Sequence, residues 1–181
     1  EVMQALAISD QKAPDWKYVC KVWPQPRTEQ QNQADWQLAT HLGIEKNVVY
    51  TASRVSRNFM PYLLAACDIY AAPSRLEGFG MIQIEANACE KPVIGIKAMG
   101  MLDTLIHGKT ALLADVAQEI RLRETMLGDE SGYEEGHKHV FKRPRIVDYR
   151  ASVNDIANYL MDLMGNADLR EKMGKEGRKR V

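Results

Sequence analysis

The stretch Ser74-Arg75-Leu76-Glu77-Gly78-Phe79-Gly80-Met81-Ile82-Gln83-Ile84-Glu85 decides how the chain is read. Ahead of it, Asp68-Ile69-Tyr70-Ala71-Ala72-Pro73 predicts a short apolar strand that stops at Pro73, because proline has no N–H for a sheet ladder. Behind it, Met81, Ile82, Ala86, Ala88 and Cys89 follow the spacing of a helix with one buried side. The middle is therefore a strand-to-helix turn, and in an open parallel sheet such turns lie at the carboxyl edge, where ligands bind. Gly78 and Gly80 remove the Cβ atoms on either side of Phe79, so another molecule can come close to the backbone. Neither Phe79 nor Gly80 offers a side-chain oxygen as a cap. The first N–H groups of the helix are then free for an anion at its positive end, and a phosphate fits.

Glu77 lies in the turn and Glu85 between one and two turns into the helix, so both can border one crevice about the width of a sugar nucleotide. A carboxylate accepts from vicinal hydroxyls, as on a ribose or a pyranose. Any one of the thirteen glutamates, taken singly, is most often a solvated charge. The full pattern says more. Pro73-Ser74, Glu77-Gly78-Phe79-Gly80, Glu85-Ala86 and Lys91-Pro92-Val93-Ile94 together resemble the donor-site signature of glycosyltransferase family 4, retaining enzymes of the two-domain GT-B fold.

That resemblance implies a role at each position. Glu77, the first glutamate of a Glu-x7-Glu motif, would contact hydroxyls of the transferred sugar beside the reacting carbon, which makes it the catalytic candidate. The backbone of Gly78, Phe79, Gly80, Met81 and Ile82 would hold the diphosphate and sugar, and Glu85 the ribose hydroxyls. The donor would be a UDP- or GDP-hexose, with no metal and no other cofactor. The acceptor would dock on an N-terminal GT-B domain that this sequence does not contain. A complete donor domain of the family opens with one more strand and loop, whose arginine and lysine clamp the diphosphate. Neither is present, so residues 1–181 are expected to be a C-terminal donor-binding domain lacking its first strand and inactive alone. The rival reading is a relative that binds a nucleotide sugar, or only a partner protein, without transferring anything.

Composition bounds the alternatives. A length of 181 residues suits one α/β domain with a sizeable core. Lys plus Arg and Asp plus Glu balance at 24 each, so no global basic field argues for nucleic acid. Cys20, Cys67 and Cys89 are odd in number and lie in apolar segments without CxxC spacing, as buried thiols of a reducing compartment do. No run reaches bilayer-crossing length and no signal peptide heads the chain, which makes a cytoplasmic location the expectation. His137 and His139 lack further ligands at metal spacing. With no Asp-x-Asp triplet, a metal-dependent transferase of the other major fold is disfavoured.

Taken in order, the chain predicts a helix ending near Ser9, a strand over Trp16 to Val22, and a helix opened by Thr28 with Gln31 and stopped by Gly43. A strand over Asn47 to Thr51 and a helix capped by Asn58 and running to Cys67 precede the central turn. After it come a strand at Pro92 to Ile96, a short helix at Met101 to Ile106 and a last strand at Thr110 to Ala114. Alternation of this kind means a Rossmann-like, doubly wound parallel sheet flanked by helices. From Asp115 to Arg145 the sequence is polar, read as a helix over Val116 to Leu127 followed by a flexible loop, a mobile insertion at 116–146. Ser152 with Asp155 and then Asn166 open two final helices.

Four other features stay open. Ser53 and Arg54, after the second strand, could border the nucleotide base or be solvated loop residues. Trp23 could stack on the base or sit in the core. Met99-Gly100-Met101 keeps one glycine where relatives have a paired-glycine loop near the phosphates. Arg178-Lys179-Arg180 could make a peripheral contact with anionic lipid or complement a helix dipole.

Overall fold

The computed structural model describes residues 1–10, 15–22, 28–127 and 137–181. Trp23 and the acidic run Asp129 to Glu135 lie outside them. Helices and strands alternate through the first two thirds: α1 Val2–Ser9, β1 Tyr18–Val22, α2 Thr28–His41, β2 Val48–Ala52, α3 Met60–Ala65, β3 Tyr70–Ala71, α4 Met81–Ala88, β4 Val93–Ile96, α5 Met101–Thr104 and β5 Ala111–Ala114. Gly43 ends α2 at a φ of 73°, the left-handed stop expected of it. Helix α3 is shorter than predicted. Its N-cap is Phe59, without a side-chain bond, and Asn58 stands one residue too early to cap it.

β4 is central in the sheet β3-β4-β5. All four of its residues are buried, which is why it reads as an unbroken apolar run instead of an alternating one. Its ladder to β5 is parallel, from Val93 opposite Ala111 to Ile96 opposite Ala114. β1 and β2 form a separate parallel pair. The parallel strands thus fall into two blocks, with no ladder between β1 and β3 among the described residues. Helix α1 bridges the blocks, since Met3 Sδ accepts from the Tyr50 hydroxyl of β2 at 3.9 Å and Ser9 Oγ donates to Ala157 O at 3.3 Å. Ala157 belongs to α6, Val153–Gly165, whose Ile156, Leu160 and Leu163 are buried. α7, Ala167–Arg180, follows. Ser152 Oγ accepts from Asp155 N at 3.2 Å and Asn166 Oδ1 from Leu169 N at 2.9 Å, the two caps the sequence predicts.

The larger correction concerns 116–146. β5 is not the last strand. β6, Val116–Leu127, and β7, His137–Ala151, form an antiparallel ribbon whose register runs from Val116 opposite Ala151 to Leu127 opposite His137. The helix predicted at Val116 to Leu127 is therefore a strand, and half of the predicted loop is its partner. Leu122 pairs with Arg145 but Glu124 with Val140, so residues 141–144 bulge opposite Arg123. Pro144 sits in that bulge, a place where a proline costs the ladder nothing. Twelve residues at about 3.3 Å each make the ribbon roughly 40 Å long.

Candidate functional site

Three segments meet at the carboxyl ends of β3 and β4: the turn 72–80, the first turn of α4, and the turn 97–100 before α5. Tyr70 N donates to Pro92 O and Ala72 N to Ile94 O, which holds the chain on β4 until it turns away. Gln83 then ties the turn down from below. It is fully buried, and its Nε2 donates to Ala72 O at 3.3 Å and to Ser74 Oγ at 3.2 Å. Its other amide atom, Oε1, has no partner. Two amides four residues apart, Gln83 and Asn87, lie on the buried side of α4, and that spacing is the sequence signal for this residue.

Gly80 is the N-cap of α4 with a φ of 81° and ψ of 45°, a left-handed conformation that a side chain would strain. The first bond inside the helix is Ile84 N to Gly80 O, so the N–H groups of Met81, Ile82 and Gln83 precede the helical ladder, as the sequence predicts. The two amides before them are not free. Glu77 Oε1 accepts from Phe79 N at 3.3 Å and from Gly80 N at 3.1 Å. The helix start itself carries no side-chain cap, as expected, and Glu77 instead ties down the two turn amides ahead of it. Glu77 thereby has a defined position.

Met99 and Gly100 support the turn from its other side. A Cβ on Gly100 would lie 2.2 Å from Gly78 O and 2.6 Å from Phe79 Cα, so the two turns are in direct backbone contact. Thr104 Oγ1 donates to Gly100 O at 3.0 Å and holds that contact from α5. Met99 adopts a φ of 54°. A left-handed conformation costs a residue with a Cβ on the order of 1 kcal/mol. It places the Met99 thioether 3.3 Å from Glu77 N as an acceptor. Met99 thus takes a glycine-like backbone without being glycine.

Glu85 is half-buried on α4. The Tyr70 phenol registers both acids. Its pKa is pushed up to about 12, by burial first and then by the negative charges of Cys67, Glu85 and Glu77. Glu77 and Glu85 therefore lie within electrostatic reach of the same phenol. Around them Leu76, Phe79 and Met81 are exposed by 64%, 53% and 58%, an apolar rim on the turn. Ser53 and Arg54 follow β2 and are exposed, and among the described residues no hydrogen bond or ion pair ties them to residues 72–85. Among the described residues no three His, Cys, Asp or Glu side chains are grouped as a metal site.

The model of the family described as glycosyl transferases group 1 matches residues 2–127, from α1 through β6. The chain belongs to that family. A GDP-mannose-dependent α-(1-6)-phosphatidylinositol monomannoside mannosyltransferase of Mycolicibacterium smegmatis is 30% identical over 99 residues, which cover 51% of this chain and 25% of that enzyme. A capsular polysaccharide biosynthesis glycosyltransferase of Staphylococcus aureus is 30% identical over 114 residues, covering 63% and 21%. This group 1 chain thus spans a quarter or less of the relatives it matches.

Among solved structures, the C-terminal domain of a group 1 glycosyl transferase, LpcC, from Francisella tularensis matches with a TM-score of 0.71 at 22% identity, over 99% of this chain and 74% of that one. The Anabaena protein HepE in complex with UDP-glucose matches with a TM-score of 0.69 at 22% identity, over 98% and 38%. The fold is α/β, with parallel strands flanked by helices, as in the C-terminal domains of GT-B glycosyltransferases. No described helix is long and apolar enough to cross a membrane.

Proposed function

We propose that residues 1–181 form the donor-binding, C-terminal domain of a retaining family 4 glycosyltransferase, which transfers a hexose from a UDP- or GDP-sugar to an acceptor held by an N-terminal GT-B domain. The observation that carries the reading is the convergence at one sheet edge of the α4 N-terminus, the Gly78–Gly80 backbone and the Glu77 carboxylate bound to that backbone.

Chemically, the parts divide the work. As the glycosidic bond breaks, charge accumulates on the leaving diphosphate, so the amides of Met81, Ile82 and Gln83 gain most in the transition state. A helix end supplies about 0.3–1 kcal/mol when exposed and up to about 2 when partly buried. Basic groups from elsewhere in the full protein supply the remainder. Glu77, with Oε1 held by two amides, presents Oε2 to the sugar hydroxyls and to the positive character that develops at the reacting carbon. Glu85, deeper along α4, anchors the ribose. Attack and departure on one sugar face would give retention. The apolar rim of Leu76, Phe79 and Met81 suits a surface that closes over the donor.

The test is a thermal shift of the protein with UDP, GDP, UDP-glucose and GDP-mannose. A ligand at a hundredfold its Kd stabilises by about 2.7 kcal/mol. At this size that raises the melting temperature by roughly 5–10 °C. A flat response to all four would remove the donor-binding reading.

A further inference from the structure

We propose that the middle of the β6–β7 ribbon is a docking surface for a lipid bilayer with anionic headgroups. Three of its cations are occupied, since Arg121 pairs with Glu119, Lys138 with Glu124 at 2.7 Å and Arg150 with Asp148 at 2.7 Å. Arg123, Lys142, Arg143 and Arg145 are exposed and have no ion-pair partner among the described residues. All four lie at the bulge, where the register passes from Leu122 opposite Arg145 to Glu124 opposite Val140. In a chain whose charges balance at 24 against 24, this is a local excess. The connection between the strands is acidic in sequence, so the attraction belongs to the middle of the ribbon.

The apolar neighbours choose the partner. Leu122 and Val140 flank the same cations and are exposed by 40% and 59%. Phosphates of a nucleic acid or of a soluble polyanion gain nothing from a leucine and a valine, whereas a headgroup layer takes up apolar side chains and cations together. The basic end of α7 offers no such surface. Arg178 donates to Ala88 O, Lys179 pairs with Glu176 at 2.6 Å, and Arg180 donates to Thr104 O at 2.8 Å and Asp103 O at 2.9 Å, so all three cations are bound within the fold. The lipid contact that the sequence left open at 178–180 is better placed on the ribbon.

Co-sedimentation of the full chain with vesicles of phosphatidylcholine, and of phosphatidylcholine mixed with phosphatidylglycerol, tests this without any donor or acceptor, so its outcome is separate from that of the sugar-transfer reading. Binding is expected to the mixed vesicles only, and to weaken with added salt. Each cation near an anionic surface is worth about fivefold in affinity, so R123Q/K142Q/R143Q/R145Q should lose several hundredfold. L122S/V140S should weaken binding while leaving its salt dependence intact, and Lys179→Gln should change nothing. The double variant and the salt series decide the matter even if the quadruple variant fails to fold. Failure to bind either vesicle, equal binding to both, full binding by the ribbon variants, or displacement by an oligonucleotide bound more tightly would each overturn the proposal.

Discussion

Gly100→Ala probes the packing that shapes the candidate site. The new Cβ would sit 2.2 Å from Gly78 O, 2.6 Å from Gly78 C and 2.6 Å from Phe79 Cα, all of them backbone atoms. Ordinary carbon contacts begin near 3.5 Å, so the Gly78–Phe79 segment must retreat by upward of about 1 Å. Overpacking of this kind costs about 1–3 kcal/mol. For a chain of this length each kcal/mol lowers the melting temperature by roughly 2–4 °C, so a fall of about 2–12 °C is expected. The retreat also carries the Glu77 amide cluster away from the α4 N-terminus, and a misplacement of about 1 Å in a positioned group can cost a hundredfold in rate. Gly78→Ala supplies the contrast. Nothing lies within 4 Å of a Cβ at Gly78, so the fold should keep its melting temperature. If a donor approaches that backbone, the variant should still lose nucleotide-sugar affinity. Calorimetric melting and donor titration on both variants separate the two effects. An unshifted melt for Gly100→Ala would refute the packing argument, and an unimpaired Gly78→Ala would refute the close approach of the donor.

Three further outcomes follow from the same geometry. In a protein that carries the proposed N-terminal domain, Glu77→Ala should lower kcat far more than it raises donor Kd, and Glu85→Ala should chiefly weaken donor binding; steady-state kinetics with unchanged turnover for Glu77→Ala would end its catalytic assignment. Tyr70 is held protonated up to about pH 12 against an ordinary value of 10, so its contribution to stability is complete below pH 10 and is lost as pH rises toward 12. Because Glu85 contributes to that shift, Glu85→Gln should bring the tyrosinate absorbance transition to lower pH, and an unmoved transition would place that acid elsewhere. Ser152→Ala removes the α6 cap and should cost about 1 kcal/mol in a denaturant melt, within the range of such caps.

The parts legible in the sequence were those where a residue type is tied to one geometry. Gly43 stops α2, Ser152 and Asn166 cap their helices, and Val93 to Ile96 reads as a strand covered on both faces. The ribbon was illegible for the opposite reason. Glu119, Arg121, Leu122, Arg123, Glu124 and Met126 are good helix formers, and Glu119 and residues 121–124 are all exposed, so no buried face imposes a period of two on them. Their strand conformation comes from pairing with β7, more than ten residues further on. The bonds to Phe79 N and Gly80 N leave no local signature, because their acceptor is not a neighbouring Ser, Thr, Asp or Asn but a longer side chain reaching forward from Glu77. Met99 likewise offered no sign in sequence of its left-handed backbone, which the contact of Gly100 with Gly78 requires of its neighbour.

The turn around Glu77 is braced independently from each side. Gln83 holds Ala72 and Ser74 from α4, Gly100 presses on Gly78 from the α5 turn, and Tyr149 N of the ribbon donates to Arg75 O at 2.9 Å. Around that last bond Arg75 pairs with Glu1 at 3.1 Å, and Arg150 pairs with Asp148 at 2.7 Å and with Glu1 at 3.8 Å, so the ribbon root and the turn share one network of charges. A loop over-determined in this way holds its amides and Glu77 in place before any ligand arrives, and preorganisation of this kind is what electrostatic catalysis requires. The same bracing links the two proposals made above. Since β7 is joined to the turn through Tyr149 and Arg75, seating the ribbon on a surface fixes the orientation of the crevice relative to that surface, and the donor loop would work at a set height above it.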